Sequence, residues 1–163
     1  MVGMGKLLPV SISALQTLFN NMSGRVTYSL GAKCDSLTED SHDIDEMDCS
    51  GFVRFAITKC SNPQAVIPDG SATQHEWFQS QGFEVANYSI AAQQANPGKL
   101  FICFMTPETG GGTGHVWFCW KGRTMECYGG HGVGSRPYNA SIEGGRLTLA
   151  TACAACYLLS VTP

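Results

Sequence analysis

Charge is scarce in this chain. Lys, Arg, Asp and Glu make up 14% of its 163 residues, against roughly 25% in an ordinary soluble domain. Ten basic and 13 acidic residues leave a net charge of −3, which argues against the basic surface of a nucleic-acid binder. A long apolar run is also missing. The best candidate, Leu147 to Val161, is interrupted by Thr148, Thr151 and Ser160 and falls short of the ~18 residues of a membrane span. The apolar part of the N-terminus is cut by Pro9, Ser11, Ser13 and Gln16 and shows no small-residue cleavage site, so it does not read as a Sec signal. The expectation is one domain over 1–163, monomeric, made in the cytoplasm and not inserted in a membrane.

Apolar residues, glycine and cysteine are plentiful. Hydrophobic residues reach 44%, and there are 19 glycines and eight cysteines. A chain of this length with a full core does not need disulfide staples. Most of the cysteines lie inside apolar runs such as LFICFM and VWFCW, where a free thiol behaves as a small buried hydrophobe. Cys153 and Cys156 form a C-x-x-C pair, but no second pair or H-x-H cluster completes a zinc site. No metal or other cofactor is expected.

Periodicity places the elements. Ile12, Leu15, Leu18, Phe19 and Met22 recur at helical spacing after Pro9 and Ser11. Seven of the 13 acids fall between Asp35 and Asp48; lacking the sixth-position glycine and twelfth-position glutamate of an EF-hand, the run reads as a solvated loop. Cys49, Phe52, Val53, Ala56, Ile57 and Cys60 then define one face of a three-turn helix. A short helix is predicted at Ala72 to Gln79. Strands follow at Leu100 to Met105 and at His115 to Trp120. A turn at Lys121-Gly122 leads to a return strand at Thr124 to Tyr128. Segment 146–161 reads as a strand, a helix, or both in turn. Helices first and strands later favour an α+β fold.

One helix head can do chemistry. Cys49 stands at the start of its helix, where unpaired amides and the positive dipole end lower a thiol's pKa. The same amides can hold an oxyanion. A thiol nucleophile needs a base, and of His42, His75, His115 and His131, His115 is best placed, opening a strand after a glycine-rich loop that leaves it access. Glu126 lies inside an otherwise apolar strand, which is costly unless it is paired. Its partner is His115 across the hairpin or Arg123; the alternative is an exposed strand face.

These residues resemble the NlpC-type (NlpC and p-sixty superfamily) cysteine peptidases, papain-like enzymes that cut peptidoglycan stem peptides. DCSGFV at 48–53 resembles the nucleophile motif and GHVWF at 114–118 the histidine motif. VTYSLGAK at 26–33, IPDGSATQHEWF at 67–78 and NPGKLFICF at 96–104 resemble supporting segments. The match covers roughly residues 25–136. It implies a papain-like α+β fold with N-terminal helices on a small antiparallel sheet. It makes Cys49 the nucleophile, His115 the base and Glu126 the third residue, with His131 in reserve. Tyr28, Asp48 and Ser50 become substrate or oxyanion contacts, Asp48 by holding a free amine of the stem peptide. Trp117 stands where the family has a small glycine, implying a narrowed groove. The implied reaction is hydrolysis of the D-glutamyl–diaminopimelate bond in the periplasm or cell wall. A phage lysis protein, or a type VI secretion effector with a cognate immunity protein, fits that reading. The alternatives are a papain-like amidase or transferase on another amide, and a non-catalytic binding domain.

Overall fold

Both early helices form where the apolar spacing demands them. In the computed structural model, which describes residues 8–163, α1 spans Ile12–Met22 and α2 spans Cys49–Cys60. The N-terminal stretch weighed above as an export signal lies, over residues 1–7, outside the described residues. The Ser11 hydroxyl caps α1 by accepting from the Ala14 amide, and Leu15, Phe19 and Met22 are its buried stripe. α2 is more deeply sunk than its apolar face requires. Phe55 and Thr58 are buried as well, because α1, the sheet and a third helix surround it.

The remaining helices are α3 (Ser71–Ser80), α4 (Ile90–Ala95) and α5 (Leu149–Ala152). The strands are β1 (Val10–Ser11), β2 (Thr27–Tyr28), β3 (Glu46–Met47), β4 (Glu84–Val85), β5 (Lys99–Met105) and β6 (His115–Trp120). They continue with β7 (Arg123–Tyr128), β8 (Gly132–Gly134), β9 (Ser141–Ile142), β10 (Leu147–Thr148) and β11 (Ala155–Thr162). The main sheet has the order β1-β11-β5-β6-β7-β8, with β4 also pairing β11. Its long pairs are antiparallel, while β1 joins β11 in parallel. The fold is therefore α+β, with α1 and α2 ahead of the long strands of the sheet and packed on it. Segment 146–161 is a short strand, β10, then α5, then β11.

Alternation along the strands separates two cores. Val116, Phe118, Met125 and Cys127 face the helices, with Phe52 and Phe118 in edge contact at 6.2 Å. Trp117, Cys119, Phe101, Cys103 and Cys156 face the other way, beneath α5 and Tyr88. The β6–β7 hairpin turns at Lys121 and Gly122, with φ of 49° and 83°, the left-handed pair a tight two-residue hairpin requires. The Gln93 side chain of α4 accepts from the Gly122 amide at 2.8 Å.

The acidic run is not simply solvated. Asp35 accepts from the amides of Leu37 and Thr38, and Asp40 from that of His42, so these acids close their own turns. Its last member, Asp48, is 5% exposed. A buried carboxylate must be paired, and its partners belong to the site.

Candidate active site

Asp48 sets the head of α2. Its Oδ1 accepts from the Gly51 amide at 2.8 Å, the standard way to satisfy an orphan first-turn donor. Gly51 is required there. A Cβ at that position would lie 2.9 Å from Asp48 Oδ1 and 3.1 Å from the Ala32 carbonyl. A second clamp comes from α3, where Gln74, fully buried, donates from its amide to the carbonyls of Ser50 and Pro68, both at 3.0 Å. The cap and the clamp fix Cys49 in a defined place.

The sheet brings the imidazole to it. His115 opens β6 beside the head of α2 and hydrogen-bonds the Cys49 sulfur, which also receives the Val116 amide. His115 Nε2 lies 2.7 Å from Glu126 Oε1, leaving Nδ1 as the nitrogen for sulfur. Glu126 is wholly buried on β7. It accepts further bonds from Arg136 Nη2 at 2.6 Å and Nε at 3.0 Å. The Arg136 guanidinium in turn lies 3.8 Å over the ring of Tyr128. Cys49, His115, Glu126 and Arg136 thus form one continuous chain.

Its electrostatics alternate. Burial pushes the Cys49 thiol up, but the hydrogen bond and charge of His115 outweigh it, and the thiol titrates below its ordinary value. Burial disfavours the His115 cation; its bonds to Cys49 and Glu126 prevail and raise it to about 9. Burial likewise opposes the Glu126 anion, yet its bonds to His115 and Arg136 bring it down to about 2. At neutral pH His115 is an imidazolium and Glu126 a carboxylate backed by a guanidinium, and this alternation favours the thiolate form of Cys49.

The sequence-predicted residues divide. Cys49, His115 and Glu126 are brought together, Glu126 partnered by Arg136 rather than by Arg123, which turns to Ser135. His131, held in reserve, is exposed and stacks on Tyr128 at 4.8 Å, while Glu126 occupies the position beyond the imidazole. His115 is only 7% exposed, so the glycine-rich loop before it gives less access than its composition suggests. Tyr28 lines the cleft beside Cys49, and burial followed by the charges of Cys49 and Asp48 raises its hydroxyl. The Ser50 hydroxyl accepts from Lys33 Nζ at 2.7 Å and faces Asp48, so it is turned into a polar cluster. Trp117 does not narrow the groove. It is fully buried behind His115, stacked on that ring at 5.4 Å, with its indole N–H bonded to Tyr88. Alternation put it on the core face.

Arg136, Lys33 and Gln74 were missed. Arg136 sits in a glycine-rich loop without periodicity. Lys33 closes the VTYSLGAK segment, and its only signal was a lone cation ahead of an acidic run.

Two hollows adjoin at the site, and the thiol lines one of them. One, of about 450 Å³, is lined by Tyr28, Lys33, Asp48, Cys49, His75 and Met105 among others. The second, of about 350 Å³, is lined by His115, Arg136, Glu143 and Leu149. Tyr28, Met105 and Gly114 border both. An extended chain laid through both would pass Cys49 in the first and His115 in the second.

No protein-family model matches the chain, and no curated protein matches it. Among solved structures it is similar to the P60 domain of an M. avium subspecies paratuberculosis antigen, with 23% identity and a TM-score of 0.48 over 86% of this chain and 96% of that one.

Proposed function

We propose that this chain is a papain-like cysteine peptidase of the NlpC/P60 type that hydrolyses peptidoglycan stem peptides at the D-glutamyl–diaminopimelate bond. The observation that carries the enzyme reading is the charge-alternating chain Cys49–His115–Glu126–Arg136 opening on a cleft. The substrate class is supported by the order of the sequence motifs around it.

The Cys49 thiolate attacks the carbonyl carbon, and the π pair moves to oxygen. The oxyanion is held by the Cys49 amide, which the first turn of α2 leaves unpaired, and by the Tyr28 hydroxyl. Imidazolium Nδ1–H of His115 gives its proton to the leaving nitrogen as the C–N bond breaks, leaving a thioester. Water then gives a proton to Nδ1 of His115 and its oxygen adds to the thioester carbon. The C–S bond breaks and the thiolate returns. Glu126 keeps the proton on Nε2 throughout, and Arg136 keeps Glu126 ionised.

The test is a digest of diaminopimelate-type peptidoglycan by the wild type and by Cys49→Ala, read by mass spectrometry. New stem-peptide fragments from the wild type alone support the reading and name the bond; intact sacculi in both samples overturn it. Delivery to the wall by a secretion system or by phage lysis belongs to the same proposal, with an immunity protein for the effector form. Expression directed to the periplasm is expected to lyse cells, and cytoplasmic expression to leave them intact.

A further inference from the structure

We infer, resting on the peptidase reading above, that Lys33 is a specificity-determining residue that occupies the place of a substrate ammonium, so that the enzyme takes acyl chains whose nitrogen is already acylated. His115, the donor to the leaving amine, borders the hollow that holds Arg136. The acyl portion therefore lies in the other hollow, whose lining holds Cys49, Asp48 and Lys33. Asp48 is the carboxylate that an incoming ammonium would seek there.

That carboxylate is already full. Lys33 Nζ lies 2.6 Å from both of its oxygens. Oδ1 also accepts from the Gly51 amide at 2.8 Å and the Ser50 hydroxyl at 3.3 Å, and Oδ2 from the Gly31 amide at 3.2 Å. An ionised carboxylate offers about four acceptor sites, and these donors exhaust them. The ammonium of Lys33 is likewise used, on Asp48 and on Ser50 Oγ at 2.7 Å. Its side chain is 31% exposed, so its positive charge stands at the cleft wall. A free substrate ammonium would meet a like charge and find no acceptor left. An amide nitrogen at the same position carries no charge to be repelled, and its surroundings there include Leu30, Ala72 and Phe104.

The test uses one stem peptide in two forms, amino terminus free and acetylated. The wild type is expected to cleave the acetylated form at least about tenfold better in kcat/KM, given the cost of juxtaposed like charges. Lys33→Met bares Asp48 and is expected to shift that ratio toward the free amine, with Cys49 still alkylated rapidly as a check that the site is intact. Lys33→Gln gives the same comparison should the methionine variant fail to fold. A wild type that prefers the free amine, or a ratio unmoved in a folded Lys33 variant, overturns the assignment. Cleavage of neither form, with sacculi also untouched, removes the peptidase reading and this inference with it.

Discussion

Cys49 at the head of α2 and Cys103 on the opposite face of the sheet are both thiols in apolar surroundings, and their protons behave differently. Cys103 and Cys156 face each other across the β5–β11 pair, with sulfurs 3.5 Å apart and unbridged. Burial pushes Cys103 well above the ordinary range. Cys60 and Cys127, also packed in the core, are pushed up to about 11 and about 12, burial leading in both. Cys49 meets the same penalty and still titrates low, because an imidazolium held by Glu126 and Arg136 stands against it. Burial alone makes a thiol inert; a cation anchored from behind makes it a nucleophile. The C-x-x-C pair lacks that cation. Its Cys153 is lowered instead by a hydrogen bond with Cys103, which outweighs burial.

The sharpest way to break this contrast is selective alkylation. At about pH 6, iodoacetamide should label Cys49 at least about a hundredfold faster than Cys60 or Cys127, whose thiols burial pushes up, since thiolate fraction sets the rate. Peptide mapping that finds either of them equally fast would erase the distinction. Glu126→Gln should cut both that labelling and kcat, the latter by about a hundredfold or more, because the imidazolium loses its counterion and its fixed tautomer.

The pH profile sharpens the same point. Activity should fall as pH rises through about 9, where His115 loses its proton, and again in acid as Cys49 gains one. Stability should follow the same groups. His115 is raised from 6.5, so its contribution is complete below 6.5 and lost as pH climbs through about 9. Glu126 is lowered from 4.5, so its contribution is complete above 4.5 and lost as pH falls toward about 2. Thermal melts across pH check both limbs.

Smaller effects test the scaffold. Gly51→Ala should displace Asp48 from the cap and cost about 1–2 kcal/mol, with a loss of activity that denaturant midpoints alone would not account for. Cys156→Ala, on the far face, should cost about 1 kcal/mol for the lost sulfur packing and leave kcat unchanged. A fall in kcat there would couple the two regions.

The elements nearest the chemistry were the most legible. The 49–60 helix follows its apolar face, and the β6–β7 hairpin follows strict alternation around Lys121-Gly122. Glu126 could be paired with His115 because an acid in an apolar strand must find a partner. Less legible was whatever depends on loops returning from afar. Arg136 comes to Glu126 from a segment without period. Lys33 reaches Asp48 across fifteen residues, and nothing local announces it. α4 (IAAQQA) is too short and polar for a periodic signal. The acidic run misled because solvation was assigned to the whole of it, while its last member is the helix cap.

Counted together, with Cys49 in its attacking thiolate form, the cation of His115, the carboxylates of Glu126 and Asp48, and the heads of Arg136 and Lys33 make three negative and three positive charges within one small volume. They sum to zero. A cluster with no net charge has a field that dies away much faster than that of an ion, so it cannot draw a charged polymer from a distance. The centre is strongly polar to a bond lying in it and almost silent beyond its own rim. Capture of substrate therefore falls to contact within the cleft, and the encounter rate should vary little with salt.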